Sequence, residues 1–527
     1  AFRIPHSAFE RSAASRPSRR RAPRRPRGVV LLLVMVVIVL LTFACYTFST
    51  MMLTERRAVV LSGRQIQARA SADSGVDAAR IFLSKPLEER QEAGGLFNNP
   101  ERFRGLAVTA DEEGDAARVS IVAAQLDDEG QLAGLRFGLE NESTRLNLNA
   151  LMLADAQQEN GGRSLLMALP GMTVEIADAL LDWIDEDDEP REFGAEAEYY
   201  TGLDPPYRPK NGPLESIEEL LLVRGVAPLL LFGADANRNG VIDLSEEALL
   251  AAVDNGQGTL DRGWLPYISL YGMEKNQTRD GRPRIMLNTE DMELLHGELS
   301  AVLPAEWATF IVALRQNGPY NGSGAGEAAG GGSLDLSKPA TYPLSQVLDL
   351  IGKKTRVQFD GDEEPSVLTS PFPDEPLAMA VYLPRLVDNV TVNPSPIIPG
   401  RININQAPRV VLSGIPGMTE ETLNEIISVR QFEPEVDNPN RQHETWLLVE
   451  GLVTLEEMKA LIPFVTAGGD VYRAQVIGYF DQAGASARLE VVLDATTPLP
   501  RMLFWRDLSH LGRGYPVELL GVGVVEE

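Results

Sequence analysis

The chain has 527 residues, a formal net charge of −27, one cysteine and four histidines. A single cysteine excludes an internal disulfide and a zinc–thiolate centre. A body this acidic repels nucleic acid and anionic lipid and suits divalent cations. The total conceals a split: residues 1–28 hold nine arginines against one acid, Glu10, a net of +8 that leaves −35 for the remainder.

Residues 1–27 are basic and rich in Pro and Ser, the composition of a disordered segment. From Gly28 through Leu53 there is no charge, and residues 29–44 read VVLLLVMVVIVLLTFA. A helix rises ~1.5 Å per residue, so ~20 such residues cross a bilayer core. The arginines ahead of it keep that flank on the cytoplasmic side, which puts the acidic bulk across the membrane. The helical pattern does not stop at the membrane. Residues 54–84 lack proline and place Val59, Ile66, Ala70, Val76, Ala79, Ile81 and Leu83 at helical spacing, and Pro86 ends the run. One helix is predicted over 29–85, half lipid-facing and half amphipathic.

Strand patterns follow at 117–125 and 132–139, on either side of the turn Asp127-Asp128-Glu129-Gly130, with a shorter alternating piece at 145–149. Short helices and loops then prevail through 150–466, interrupted by a Gly-rich linker at 317–333. Strand patterns return at 471–480, 486–493 and 501–506. β segments at 105–149 and 467–527 thus bracket a helical region, the pattern of an α+β domain with a large helical insertion.

The insertion contains an internal echo. Ala168-Leu169-Pro170-Gly171-Met172-Thr173 opens one helix, and Gly414-Ile415-Pro416-Gly417-Met418-Thr419 opens another. Each follows an Asn-rich strand end, Leu146-Asn147-Leu148-Asn149 and Ile402-Asn403-Ile404-Asn405, with a weaker third copy at 285–289. Such turns suggest SAM-like or helix-hairpin-helix units, in which backbone N–H groups grip a phosphate. Here Thr173 and Thr419 stand where a second glycine is usual, and acids crowd the helices that follow (Glu175, Asp178, Asp182; Glu420, Glu421, Glu425). Nucleic-acid affinity draws on cations, so an architectural use of the hairpin is expected.

Two acidic stretches are candidate metal sites. In 235–246, oxygen side chains occupy positions 1, 3, 5 and 9 (Asp235, Asn237, Asn239, Asp243), Gly240 occupies position 6 and Glu246 position 12. Val241 at position 7 offers its carbonyl, so the stretch matches an EF-hand loop and predicts structural Ca²⁺. The second and weaker candidate is Asp182, Asp185, Asp187 and Asp188, whose charges oppose one another and a helix C-terminus, with Arg191 as the alternative partner. No HExxH, GxSxG or GxGxxG occurs, and Gly352-Lys353-Lys354-Thr355 lacks the first glycine of a P-loop. No catalytic constellation is legible, and the chain reads as a non-enzyme.

One run resembles a known family. Asp182-Trp183-Ile184-Asp185, Pro190-Arg191, Gly194-Ala195-Glu196, Tyr199-Tyr200, Pro205-Pro206-Tyr207, Asn211, Pro213-Leu214 and Glu218-Glu219-Leu220 resemble the type II secretion minor pseudopilin K family, also called general secretion pathway protein K. The resemblance covers about 25–510. It implies a leader of residues 1–28 cut by prepilin peptidase between Gly28 and Val29. It implies a pilin-like helix, storage in the inner membrane through 29–53, and a periplasmic bulk later built into the pseudopilus. The partners implied are the I and J minor pseudopilins and the major pseudopilin, with the inserted domain capping a fibre tip. Most pilins carry a glutamate at mature position five, whereas here that position is Leu33, as the family implies for its tip subunit. The rival reading is a membrane-tethered helix-hairpin-helix protein of DNA uptake.

Overall fold

Helix α1 (Arg27–Leu83) is 57 residues long and free of proline. The computed structural model describes residues 27–109, 116–244, 246–247, 260–322, 332–361, 363–434, 438–481 and 484–521. Residues 1–26 of the predicted leader and 323–331 of the predicted linker lie outside the described residues. The chain divides into two compact units, 1–63 and 64–527. In the first, every residue from Gly28 to Gly63 is exposed. Thr42, Thr47, Thr50 and Thr54 turn their hydroxyls back onto carbonyls three or four residues earlier. Those bonds leave an apolar surface suited to lipid, where an unsatisfied polar group is costly. The helix is long and apolar enough to cross a bilayer.

In the second unit, the end of α1 lies on a seven-stranded antiparallel sheet. Its strands are β1 (Leu106–Thr109), β2 (Ala117–Leu126), β3 (Leu132–Phe137), β4 (Glu140–Asn141), β5 (Val471–Phe480), β6 (Ala487–Asp494) and β7 (Arg501–Asp507). The main order is β1-β2-β5-β6-β7, with β3 also on β2 and β4 also on β5. The first and last thirds of the chain therefore meet at β2–β5, where Val119 pairs with Gly478 and Val122 with Gln475. Ala68, Ala72, Val76, Ala79, Phe82 and Leu83 recur at helical spacing and pack on Val119, Ile121, Val476 and Leu489. Small residues set the approach: a Cβ at Gly478 would lie 1.9 Å from Ala68 O.

Residues between β4 and β5 form the insertion, which has its own apolar core. Its near boundary falls at Asn141, so the prediction that 142–149 belongs to the sheet is corrected. Leu146–Asn147 is extended as expected, but it pairs in parallel with Ile268–Ser269 inside the insertion. The other two Asn-rich ends do the same: Ile285–Met286 pairs in parallel with Val390–Thr391, and Ile402–Asn403 with Val465–Thr466. The echo in the sequence is thus three units, each opened and closed by a two-residue parallel bridge. Glu142, fully buried, anchors the insertion to the sheet by accepting from Arg473 Nε of β5 at 2.5 Å and from Ser269 Oγ.

Candidate metal centre

The helix Pro228–Phe232 ends at Gly233 (φ +62°), and the loop that follows turns sharply at Arg238 (φ +56°) and Gly240 (φ +76°). That turn brings the predicted ligands together. The Asp235 carboxylate accepts from Asn239 N at 3.1 Å and Gly240 N at 2.8 Å. Asp243 Oδ2 is reached by Asn237 Nδ2 at 2.6 Å and Asn239 Nδ2 at 3.2 Å. Glu246 folds back to accept from Asn237 N and Asp243 N, both at 3.0 Å. Val241 donates its N–H to Asn239 Oδ1 at 2.7 Å. Burial, with the charge of Glu246 in support, pushes the Asp235 carboxyl above its usual range.

The donor set fits a hard cation: three carboxylates and two carboxamides, oxygen donors throughout. Rotating the two carboxamides by half a turn would present their oxygens where their N–H groups now meet Asp243. As the side chains stand, no group of three or more acids, histidines or cysteines among the described residues is set to hold a metal.

The second cluster differs from its prediction. The helix Val174–Ile184 stops at Asp185, so 186–190 leave the body and Asp187 and Asp188 are exposed. Asp187 caps a turn at Glu189 N, and Asp188 accepts from Asn211 Nδ2 at 2.9 Å. These two therefore stand at the exposed rim of the cluster, where the charge of Asp187 still acts on Asp185. Glu196, which the sequence reading did not assign to the site, is buried there instead. Arg191 lies among Asp155, Asp182 and Asp185 at 3.2, 3.4 and 3.6 Å. Asp185 Oδ1 and both Glu196 oxygens are buried without a hydrogen-bond partner among the described residues. Burial, then neighbouring acids, pushes both carboxyls up to about 7. Gly194 makes the packing possible, since a Cβ there would lie 1.8 Å from Asp182 Oδ2.

The two Pro-Gly-Met hairpins serve packing. Pro170 O accepts from Trp264 Nε1 at 2.7 Å, and Ser164 Oγ donates to Gly414 O at 3.1 Å. Gly414 sits so close to the first hairpin that a Cβ would meet Ala168 Cβ at 2.8 Å and Leu165 O at 2.9 Å. Gly28 and Val29 stand in the first turns of α1, and Leu33 is exposed one turn further on.

Residues 144–231 match the family model described as type II secretion system (T2SS), protein K, in its first domain. The type II secretion system protein K of Aeromonas hydrophila is 45% identical over 58 residues, which are 11% of this chain and 18% of that protein. The chain thus aligns with less than a fifth of that relative's length. The crystal structure of the GspK–GspI–GspJ complex from the type 2 secretion system of enterotoxigenic Escherichia coli matches at 12% identity and a TM-score of 0.36, covering 86% of this chain and 99% of that one. A score that low carries no argument, and the matched segment carries the assignment instead. Through residues 144–231, the chain is similar to the first domain of the type II secretion system protein K family.

Proposed function

We propose that this chain is a K-type minor pseudopilin at the tip of the type II secretion pseudopilus, a structural component of protein export across the outer membrane. What supports this is the protein K match over 144–231, which falls on an insertion in a sheet covered by the end of α1. In this reading prepilin peptidase cuts between Gly28 and Val29, and 29–53 anchors the subunit in the inner membrane with its bulk in the periplasm. The subunit then joins I- and J-type minor pseudopilins above the major pseudopilin. Ca²⁺ in the Asp235 loop rigidifies the insertion, and the Asp182–Asp185–Glu196 group is a second place where a cation would relieve repulsion. The DNA-uptake alternative is not favoured: both hairpins are used in packing, and the helices after them are acidic.

N-terminal sequencing of the membrane-extracted protein tests the reading. A mature end at Val29 is expected, and an intact leader would overturn it.

A further inference from the structure

The Asp235 loop is gripped from outside by the sheet. Gln475 Nε2 of β5 donates to Arg238 O at 2.8 Å. Arg488 Nη2 of β6 donates to Asn237 O. Past β7, the Tyr515 hydroxyl lies 2.8 Å from Asn239 O and 3.0 Å from Gln475 Oε1, and Gly514 O accepts from Asn239 Nδ2 at 2.7 Å. Three successive carbonyls, at loop positions 3, 4 and 5, are thus held by three side chains of the sheet domain. These contacts are separate from the bonds the loop makes within itself.

Charge points the same way. Asp235, Asp243 and Glu246 carry three negative charges, and a dication leaves one. Arg238 faces Glu218 and Arg262 faces Asp261. Arg488 is fully buried beside the loop, and its Nε and Nη1 have no hydrogen-bond partner among the described residues. Its guanidinium supplies the remaining positive charge. Gly514 (φ +81°) makes room for it, since a Cβ there would lie 1.9 Å from Arg488 Nη1.

We propose that Gln475, Arg488 and Tyr515 form a latch between sheet and insertion whose closure is coupled to calcium in the 235–246 loop. The inference rests on the calcium reading above and extends it. Fixing the carbonyls of positions 3 to 5 holds the loop backbone in its turn before the ion arrives, so that only the carboxamides of Asn237 and Asn239 have to rotate, which removes part of the ordering cost of binding. Coupling of this kind is reciprocal, so calcium must tighten the latch as much as the latch tightens calcium.

The test uses the full chain in detergent, with calcium alone as the probe. Calorimetry compares the wild type with Asp235→Asn, Gln475→Ala and Tyr515→Phe, while hydrogen exchange is followed at 513–516. The expected result is a calcium component that Asp235→Asn removes and that each latch variant weakens by about five-fold, the size of one net hydrogen bond. Calcium should also slow exchange at 513–516 in the wild type and slow it less in Tyr515→Phe. Unchanged affinity in both latch variants, with exchange at 513–516 indifferent to calcium, overturns the latch and leaves the calcium reading standing. Absence of any component removed by Asp235→Asn overturns the calcium reading and the latch with it. Tyr515→Phe keeps the ring in place, so the comparison stands if Gln475→Ala fails to fold.

Discussion

Asn288 closes a reciprocal pair with the backbone of Leu344: its Nδ2 donates to Leu344 O at 2.8 Å and its Oδ1 accepts from Leu344 N at 2.9 Å. Asn149 makes the same pair with Leu214, at 3.0 and 2.7 Å. Each leucine then leads into a tight turn whose backbone N–H groups are taken by an acid, Glu219 in one unit and Asp349 in the other. Asn405 in the third unit varies the theme: its Nδ2 donates to Ala467 O and its Oδ1 accepts from Trp446 Nε1. Replacing Asn149 or Asn288 with alanine strips the side-chain partner from both the N–H and the C=O of one leucine. A loss of about 1–3 kcal/mol per site is expected from the unsatisfied groups. Urea unfolding with an unchanged m-value measures it, and a midpoint identical to the wild type would show that the pair holds nothing together.

These units explain what was legible. The Asn-rich ends and Pro-Gly-Met turns repeat as residues, so the echo could be seen. Their bridge partners could not, because a two-residue strand such as Ile268–Ser269 has no periodicity of its own and lies more than a hundred residues from Leu146. That is also why 145–149 looked like part of the sheet: an alternating pattern tells that a segment is extended, not what it pairs with. In the acidic cluster, spacing favoured Asp187 and Asp188 because they stand two and three residues after Asp185. The helix ends at Ile184, so sequence neighbours diverge while Glu196 returns to the site across Gly194. The clue to Glu196 is the glycine two residues before it, where a Cβ would collide with Asp182. The turn of the Asp235 loop was legible because its oxygen side chains all lie within twelve residues. Its grip by Gln475 and Tyr515 comes from the far end of the chain and leaves no local trace.

Gly478 sets how closely α1 lies on the sheet. A Cβ there would meet Ala68 O at 1.9 Å, Ala72 N at 2.8 Å and Ala68 C at 3.0 Å, all of them backbone. A side chain can swing aside, but these atoms move only if the helix does. Gly478→Ala is therefore expected to lift this part of α1 and to cost at least the ~1–3 kcal/mol of an overpacked core. Gly297→Ala is the control: it lies in the helix Met292–Val302 with nothing within 4 Å of the new Cβ. There the change should be neutral or should stabilise by up to ~1 kcal/mol through helix propensity. Equal melting shifts for the two would contradict the close-approach argument.

The anchor of the insertion is a buried charge network. Arg473 donates to Glu142 at 2.5 Å and to Glu490 at 2.7 Å, and Arg145 donates to Glu140 at 2.7 and 2.8 Å. Burial alone would raise Glu490 and Glu140, but the facing arginines outweigh it and hold both carboxyls below their usual range. A lowered carboxylate contributes stability that is present above its unfolded value, near 4.3, and lost as pH falls through the folded value. Glu142→Ala leaves the Arg473 guanidinium short of one of its two carboxylates in a dry site. Breaking a buried pair in this way costs about 3–5 kcal/mol. Replacing Arg473 with methionine and Glu142 and Glu490 with leucine together should restore much of that loss. A triple variant less stable than Glu142→Ala alone would contradict this account.

Asp185 and Glu196 run in the opposite direction. Both carboxyls are pushed up to about 7, above unfolded values near 4. For a raised acid the folded state binds more protons than the unfolded one between those limits. Stability from this pair is therefore complete below pH 4 and falls as pH rises through 7. In chelator, thermal melts between pH 5 and 8 should show a falling Tm, and Glu196→Gln should flatten that slope and melt higher than the wild type at pH 8. Calcium should flatten the wild-type slope in the same way, because a cation takes over the role of the proton between these oxygens. The Asp235→Asn background separates this effect from the loop site: the slope and its response to calcium should persist there. A wild-type Tm that climbs from pH 5 to 8 in chelator, with Glu196→Gln following the same curve, would show that the two carboxyls are ionised and solvated instead of trapped.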